Sequence, residues 1–195
     1  GKDFAESAAV KGAISYNKSK AKKLFAEGLK EVGKKKLSLQ LLTDDTDKAK
    51  NTAQFLQSQL ENLSGLNVDI KQVPFKQRLA FSQDKKFELV ISAWGADYGD
   101  PSTFLDLYTS DSSFNNGSWS NADYDEAEKA AKTTDVNDEN KRYDDYKTAE
   151  QTIEKEVGVA PLYYQSYATL YRQSVKGVVS NPTGAPFDWK WAYKK

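Results

Sequence analysis

Cysteine, histidine and methionine are all missing from this chain. Without cysteine there is no disulfide and no thiolate nucleophile, an absence that is neutral about compartment. Without histidine, the usual general base and the commonest metal ligand are gone. Without methionine, Gly1 is expected to follow either processing or excision from a longer chain. No apolar run reaches the roughly 18 residues of a membrane span, and no signal-peptide pattern opens the sequence. Net charge is absent too. The 28 Lys or Arg balance 28 Asp or Glu, so bulk electrostatics give no reason to expect nucleic acid. There is no G-x-S-x-G, no Gly-rich phosphate loop and no HExxH.

What is present suffices for a folded core. The 195 residues are 38% hydrophobic and 12% aromatic, enough for one domain or for part of a larger one. Residues 1–16 show no clear period. Asn17 can cap a helix carrying Ala21, Leu24, Phe25, Leu29 and Val32, and Gly33 suits its left-handed end. Lys34, Lys35 and Lys36 then read as a solvated helix end. Leu37, Leu39 and Leu41 alternate as a strand. A helix with Ala49, Ala53, Leu56 and Leu60 follows, then a strand at Leu66, Val68 and Ile70. A short helix is expected after Pro74, around Gln77 to Ser82. The run FELVI, residues 87–91, suits a strand covered on both faces. Strand, helix, strand, helix, strand implies an α/β fold with parallel pairing.

Beyond this the character changes. A short helix is expected from Pro101, with further helices capped by Asn121 and Asp138. Residues 158–172 read as extended and strongly aromatic. The tail, with Trp189, Trp191 and Tyr193, is too aromatic for a free end. Residues 97–156 hold 16 Asp or Glu against 6 Lys or Arg. Most of these acids are expected on exposed helix faces, with a residual negative field that favours cationic ligand ends.

Ligands of open parallel sheets sit beyond the carboxyl ends of strands. That is where AWGADYGDPSTF falls, residues 93–104. Asp97 and Asp100 there, or Asp44 and Asp45, are paired acids, but spacing alone does not make them a glycosidase pair. Residues 97–111 lack the alternating ligand spacing of a dedicated calcium loop. Capture of an ammonium group fits the residue types better: a carboxylate flanked by Trp94 and Tyr98, with glycines that let a ligand approach the backbone. A plain structural role for Asp97, as a helix cap or turn residue, stays open beside it.

Several segments carry a resemblance in order: YNKSKAKKLFAEGLKEVG, AWGADYGDPSTFLDLYTSDSS, SWSNADYDEAEKAA and RYDDYKTAEQTIEKEVGVAPLYYQSYATLYR. They resemble the oligopeptide- and dipeptide-binding proteins of bacterial ABC importers, extracellular solute-binding family 5. The W-x-A-D-Y-x-x-P loop is the most specific match.

The resemblance implies a periplasmic-binding-protein-like (type II) lobe, with a parallel-rich sheet flanked by helices, and no enzyme and no cofactor. It implies that residues 1–16 lead in from a missing N-terminal part. Residues 17–175 would form the C-terminal peptide-binding lobe, and 176–195 an aromatic tail returning toward the other lobe. The implied partners are an oligopeptide, the ABC permease and the missing N-terminal lobe. The implied location is the outer face of the membrane, lipid-anchored, or the periplasm. By position, Asp97 would hold the peptide α-amino group, with Trp94, Gly95, Ala96 and Tyr98 around it. Some relatives place an Arg three residues before the Trp, where it meets a short peptide's carboxylate; here that residue is Ile91. Other solutes on the same scaffold, such as signalling peptides, nickel complexes or haem, remain alternatives. So does sugar stacking on Trp119, Trp189 and Trp191.

Overall fold

The computed structural model describes residues 4–8 and 15–195. They fall into two compact units, Ser15–Ala93 and Trp94–Lys195, and a short helix α1 (Phe4–Ala8) belongs with the second. The boundary lies between Ala93 and Trp94, inside the segment 17–175.

The first unit follows its sequence closely. Helix α2 (Lys18–Glu31) starts where the Asn17 side chain accepts the Lys20 N–H at 2.8 Å. It ends before Gly33, whose φ of +65° is the left-handed conformation expected of it. Strand β1 (Leu37–Asp44), helix α3 (Asp47–Leu60), strand β2 (Leu66–Val73), helix α4 (Phe75–Gln83) and strand β3 (Leu89–Val90) follow. All pairing is parallel, in the order β2-β1-β3, with Leu37 opposite Leu66 and Leu41 opposite Leu89. Leu41, Ala53 and Val68 form the core, with Leu56, Leu60, Ile70, Leu89 and Ile91 against it.

Burial across this sheet corrects one expectation. The FELVI run pairs only at Leu89 and Val90 and is half-buried, not covered on both faces. The covered stretch is Leu41-Leu42-Thr43 of β1 instead. The reason is position: β1 is central, whereas β3 has a strand on one side only among the described residues.

The second unit is helical. Helix α5 (Ser102–Leu105) runs into a 3-10 turn, Asp106–Tyr108. Asn121 caps α6 (Ala122–Lys132) and Asp138 caps α7 (Glu139–Glu156), as expected. The two helices enclose Leu105, Tyr124, Ala127, Ala131, Tyr146, Ala149 and Ile153. Phe4 of α1 meets Tyr143 edge-on at 5.4 Å, so the segment 1–16 contains a packed helix that its sequence pattern did not suggest.

The chain after α7 departs further. Residues 158–172 were expected to be extended and strongly aromatic. Among the described residues they join no ladder, and residues 160–173 are exposed throughout. A strand requires a partner, and aromatic content alone does not supply one. The tail does fold back, through two short antiparallel pairs: β4 (Val175–Lys176) with β7 (Tyr193–Lys194), and β5 (Val179–Ser180) with β6 (Phe187–Asp188).

Candidate functional site

The chain leaves the sheet at the carboxyl end of β3 and forms an irregular loop before α5. In this loop the two acids have opposite fates. Asp100 is committed. Its Oδ1 accepts the Ser102 N–H at 3.1 Å and the Ser102 hydroxyl at 2.7 Å, at the first residue of α5. Its Oδ2 lies 2.7 Å from Arg142 Nη2 on α7. Burial alone would push the Asp100 carboxyl up; the bonds from Ser102 and Arg142 outweigh it and hold the group below the usual carboxylate range.

Asp97 is the reverse. Its backbone N–H donates to Thr103 Oγ1 at 3.0 Å, but no described residue bonds its carboxylate. The side chain is exposed. The acid that bonds the start of α5 is therefore Asp100 and not Asp97.

The other expected site residues are placed as follows. Trp94 is 40% exposed, with its ring edge-on to Phe114 at 5.0 Å. Tyr98 is 47% exposed and its hydroxyl lies 3.1 Å from the Ser102 hydroxyl. Both side chains thus meet neighbours of their own, and Asp97, expected between them, is exposed to solvent. A side chain added at Gly95 would meet nothing within 4 Å, so the space above it is open. The Ala96 carbonyl accepts the Gly184 N–H at 2.8 Å, which ties the tail to the loop. Gly184 has φ +67°, and a Cβ there would stand 3.2 Å from the Asp97 carbonyl, so glycine serves this approach twice over.

Sequence reasoning missed Arg142, Thr103 and Gly184. The Asp-Pro-Ser order of residues 100–102 is a readable helix-start signal. Arg142 and Tyr146 are a readable helical pair, and the guanidinium does sit 4.7 Å over the Tyr146 ring. What spacing did not reveal is that Arg142 meets Asp100, 42 positions earlier in the sequence.

The competing chemistries lose their residues. Asp44 accepts from Arg78 Nε at 3.0 Å, and Asp106 from Lys132 at 2.6 Å. Among the described residues no three acids gather as a metal site. Trp119 is packed edge-on against Tyr124 at 5.0 Å, whereas Trp189 and Trp191 are exposed. No described helix is long and apolar enough to cross a membrane.

Comparison with known proteins bears on the family and the fold. Residues 2–116 match the family described as bacterial extracellular solute-binding proteins, family 5 Middle. A dipeptide-binding protein of Lactococcus lactis is 44% identical over the whole chain, which covers 36% of that protein. An oligopeptide ABC transporter substrate-binding domain from Bacillus anthracis superposes with a TM-score of 0.90 at 35% identity, over 100% of this chain and 38% of that one. Listeria monocytogenes OppA, solved bound to peptide, gives 0.87 at 36% identity, over 99% and 36%. The chain thus spans little more than a third of the length of the curated relatives it matches. Its fold is periplasmic-binding-protein-like.

Proposed function

The chain belongs to family 5 of the bacterial extracellular solute-binding proteins, and from that premise we propose that it supplies the peptide-binding lobe of an ABC importer's receptor. The full-length receptor encloses an extended oligopeptide between this lobe and a second one, by hinge motion, and delivers it to the membrane permease. It is lipid-anchored at the outer face of the membrane or free in the periplasm. It binds its solute and does not transform it.

The observation that carries this reading is the isolation of the Asp97 carboxylate. Of the loop's two acids, Asp100 is bonded at both oxygens, whereas the Asp97 carboxylate has no partner among the described residues and is open to a ligand. An ammonium group is its natural complement, and a peptide's α-amine is one. Exposed, such a pair contributes about 0–1 kcal/mol; desolvated by a closing lobe, a charged hydrogen bond contributes roughly 1.5–3 kcal/mol. Enclosure is therefore part of the mechanism. Gly95 leaves room for the ligand backbone, and Trp94 and Tyr98 border the loop.

Calorimetry on the full-length receptor tests this. One mixed peptide is compared with its N-acetylated form, on the wild type and on Asp97→Asn. Acetylation and substitution are each expected to weaken binding about tenfold or more, and not additively. Equal affinity in all four combinations removes the amine anchor and sends the search to non-peptide solutes, sugars on Trp189 and Trp191 among them.

A further inference from the structure

The second acid of the loop points to a residue with a role in the same binding event. We infer that Arg142 is a positioning residue for peptide capture: through Asp100 it fixes the loop of residues 94–100 onto α7, and thereby sets where the Asp97 carboxylate stands. This rests on the amine reading of Asp97.

The geometry builds outward from the core. Tyr146 lies on the inner face of α7 and is only 1% exposed, so its position is set by packing. Its hydroxyl accepts from Arg142 Nη2 at 2.8 Å, and its ring lies under the guanidinium. Arg142 sits one turn earlier, its own N–H bonded to the Asp138 carbonyl at 2.9 Å beside the helix cap. The guanidinium is thus oriented before it meets the loop; Nη2 makes both contacts, and Nε has no hydrogen-bond partner among the described residues. It reaches Asp100 Oδ2 at 2.7 Å, while Ser102 holds Oδ1. The Asp100 carboxylate is gripped at both oxygens, by the helix it opens and by the helix across from it.

A residue that merely held the fold together would be expected where the fold lacks other support. The opposite is true here. The packing of α6 against α7 is carried by Tyr124, Ala127, Ala131, Tyr146, Ala149 and Ile153, and of these Arg142 bonds only Tyr146, at its hydroxyl. The loop's other ties are Thr103 to the Asp97 N–H and the Asp100 carbonyl, Tyr98 to the Ser102 hydroxyl, Gly184 to the Ala96 carbonyl, and Trp94 on Phe114. Loss of Arg142 should therefore disturb the loop more than the domain.

The test uses the full-length receptor with Arg142→Ala, Arg142→Lys and Asp100→Asn. The last keeps an oxygen for the Ser102 bonds and discards the charge facing Arg142. Three quantities are read: melting temperature, amide exchange across residues 94–103 in the free protein, and the affinity ratio between a free-amine peptide and its acetylated form. The expected result is a nearly unchanged melting temperature, faster exchange in the loop, and a free-amine preference reduced roughly tenfold by Arg142→Ala and by Asp100→Asn. Arg142→Lys should recover part of the preference. Loop exchange unchanged in both charge-removing variants overturns the inference, as does faster exchange with the preference intact. A wild type indifferent to acetylation is the separate failure of the Asp97 reading, visible before any variant is made, and it overturns this inference with it. If Arg142→Ala does not fold, Asp100→Asn decides by the same two readouts.

Discussion

The end of α7 places a valine where glycine is usual. Val157 has φ 54° and ψ 41°, the left-handed conformation that costs an L-residue roughly 1–2 kcal/mol, and it is β-branched. The glycine comes one position later, for space: a Cβ on Gly158 would lie 2.8 Å from Trp119 Cδ2 and 2.9 Å from Ile153 Cγ1. Ile153 is core and has little freedom to yield. Val157 is 70% exposed, so replacing it forfeits little burial. We expect Val157→Asn to raise the unfolding free energy by about 1 kcal/mol. Gly158→Ala should lower it by about 1–3 kcal/mol. Denaturant titration reads both, and a neutral Gly158→Ala would mean that the Trp119 ring moves aside without cost. The sequence Glu-Val-Gly showed a helix end but not which residue bears which constraint, because the second depends on Trp119, 39 positions before Gly158.

Within elements, the acids of α6 divide in a way their spacing allows but their charge obscures. Glu128 stands one turn after Tyr124, on the face that also carries Ala127 and Ala131, and is fully buried. The expectation that acids of this region lie on exposed faces fails at this residue. Lys132 is 3.5 Å from its Oε2, yet neither carboxylate oxygen has a hydrogen-bond partner among the described residues. Burial, with Asp106 adding to it, pushes the Glu128 carboxyl up to about 8, against the partial relief of Lys132. The folded chain therefore holds a proton that the unfolded chain releases near 4.5. The stability tied to this proton is complete below that pH and declines as pH rises toward 8. Glu128→Gln should flatten this slope: similar to wild type at pH 5, more stable at pH 8. Denaturation midpoints at the two pH values check it, and equal wild-type stability at both, with no gain from Glu128→Gln at pH 8, refutes it. The element scale was otherwise the most legible. Asn17, Asn121 and Asp138 cap the helices they were expected to cap, and Thr46 caps α3, because a cap is a local bond spanning about three residues. The burial of β3 and the missing ladder at residues 158–172 were illegible, because both depend on which strand lies alongside.

Over the whole molecule, neutrality conceals a division. Ser15–Ala93 carries 15 Lys or Arg against 9 Asp or Glu, and Trp94–Lys195 carries 11 against 17. The acidic unit is the one that holds Asp97, so its own field favours a cationic ligand end. That field is weak support for an exposed site at physiological ionic strength, where it is screened within about 8 Å. This chain by itself should consequently bind peptide at least about a hundredfold more weakly than the full-length receptor, since it offers the carboxylate without the enclosure. Side-by-side calorimetry of the two decides; micromolar or tighter binding by this chain alone would count against a shared cleft.

The bond from Gly184 to Ala96 and that from Asp97 to Thr103 have one more consequence. They occupy the Asp97 N–H and one lone pair of the Ala96 carbonyl, so at those positions an incoming strand finds less main chain to pair with. What the loop offers at Asp97 is a single charge at a fixed place. On the amine reading, such a site inspects where a chain begins and is blind to what it spells. On that reading, blocked or cyclic peptides are screened out at the first atom, and everything with an open end is admitted to whatever later scrutiny the rest of the cleft imposes.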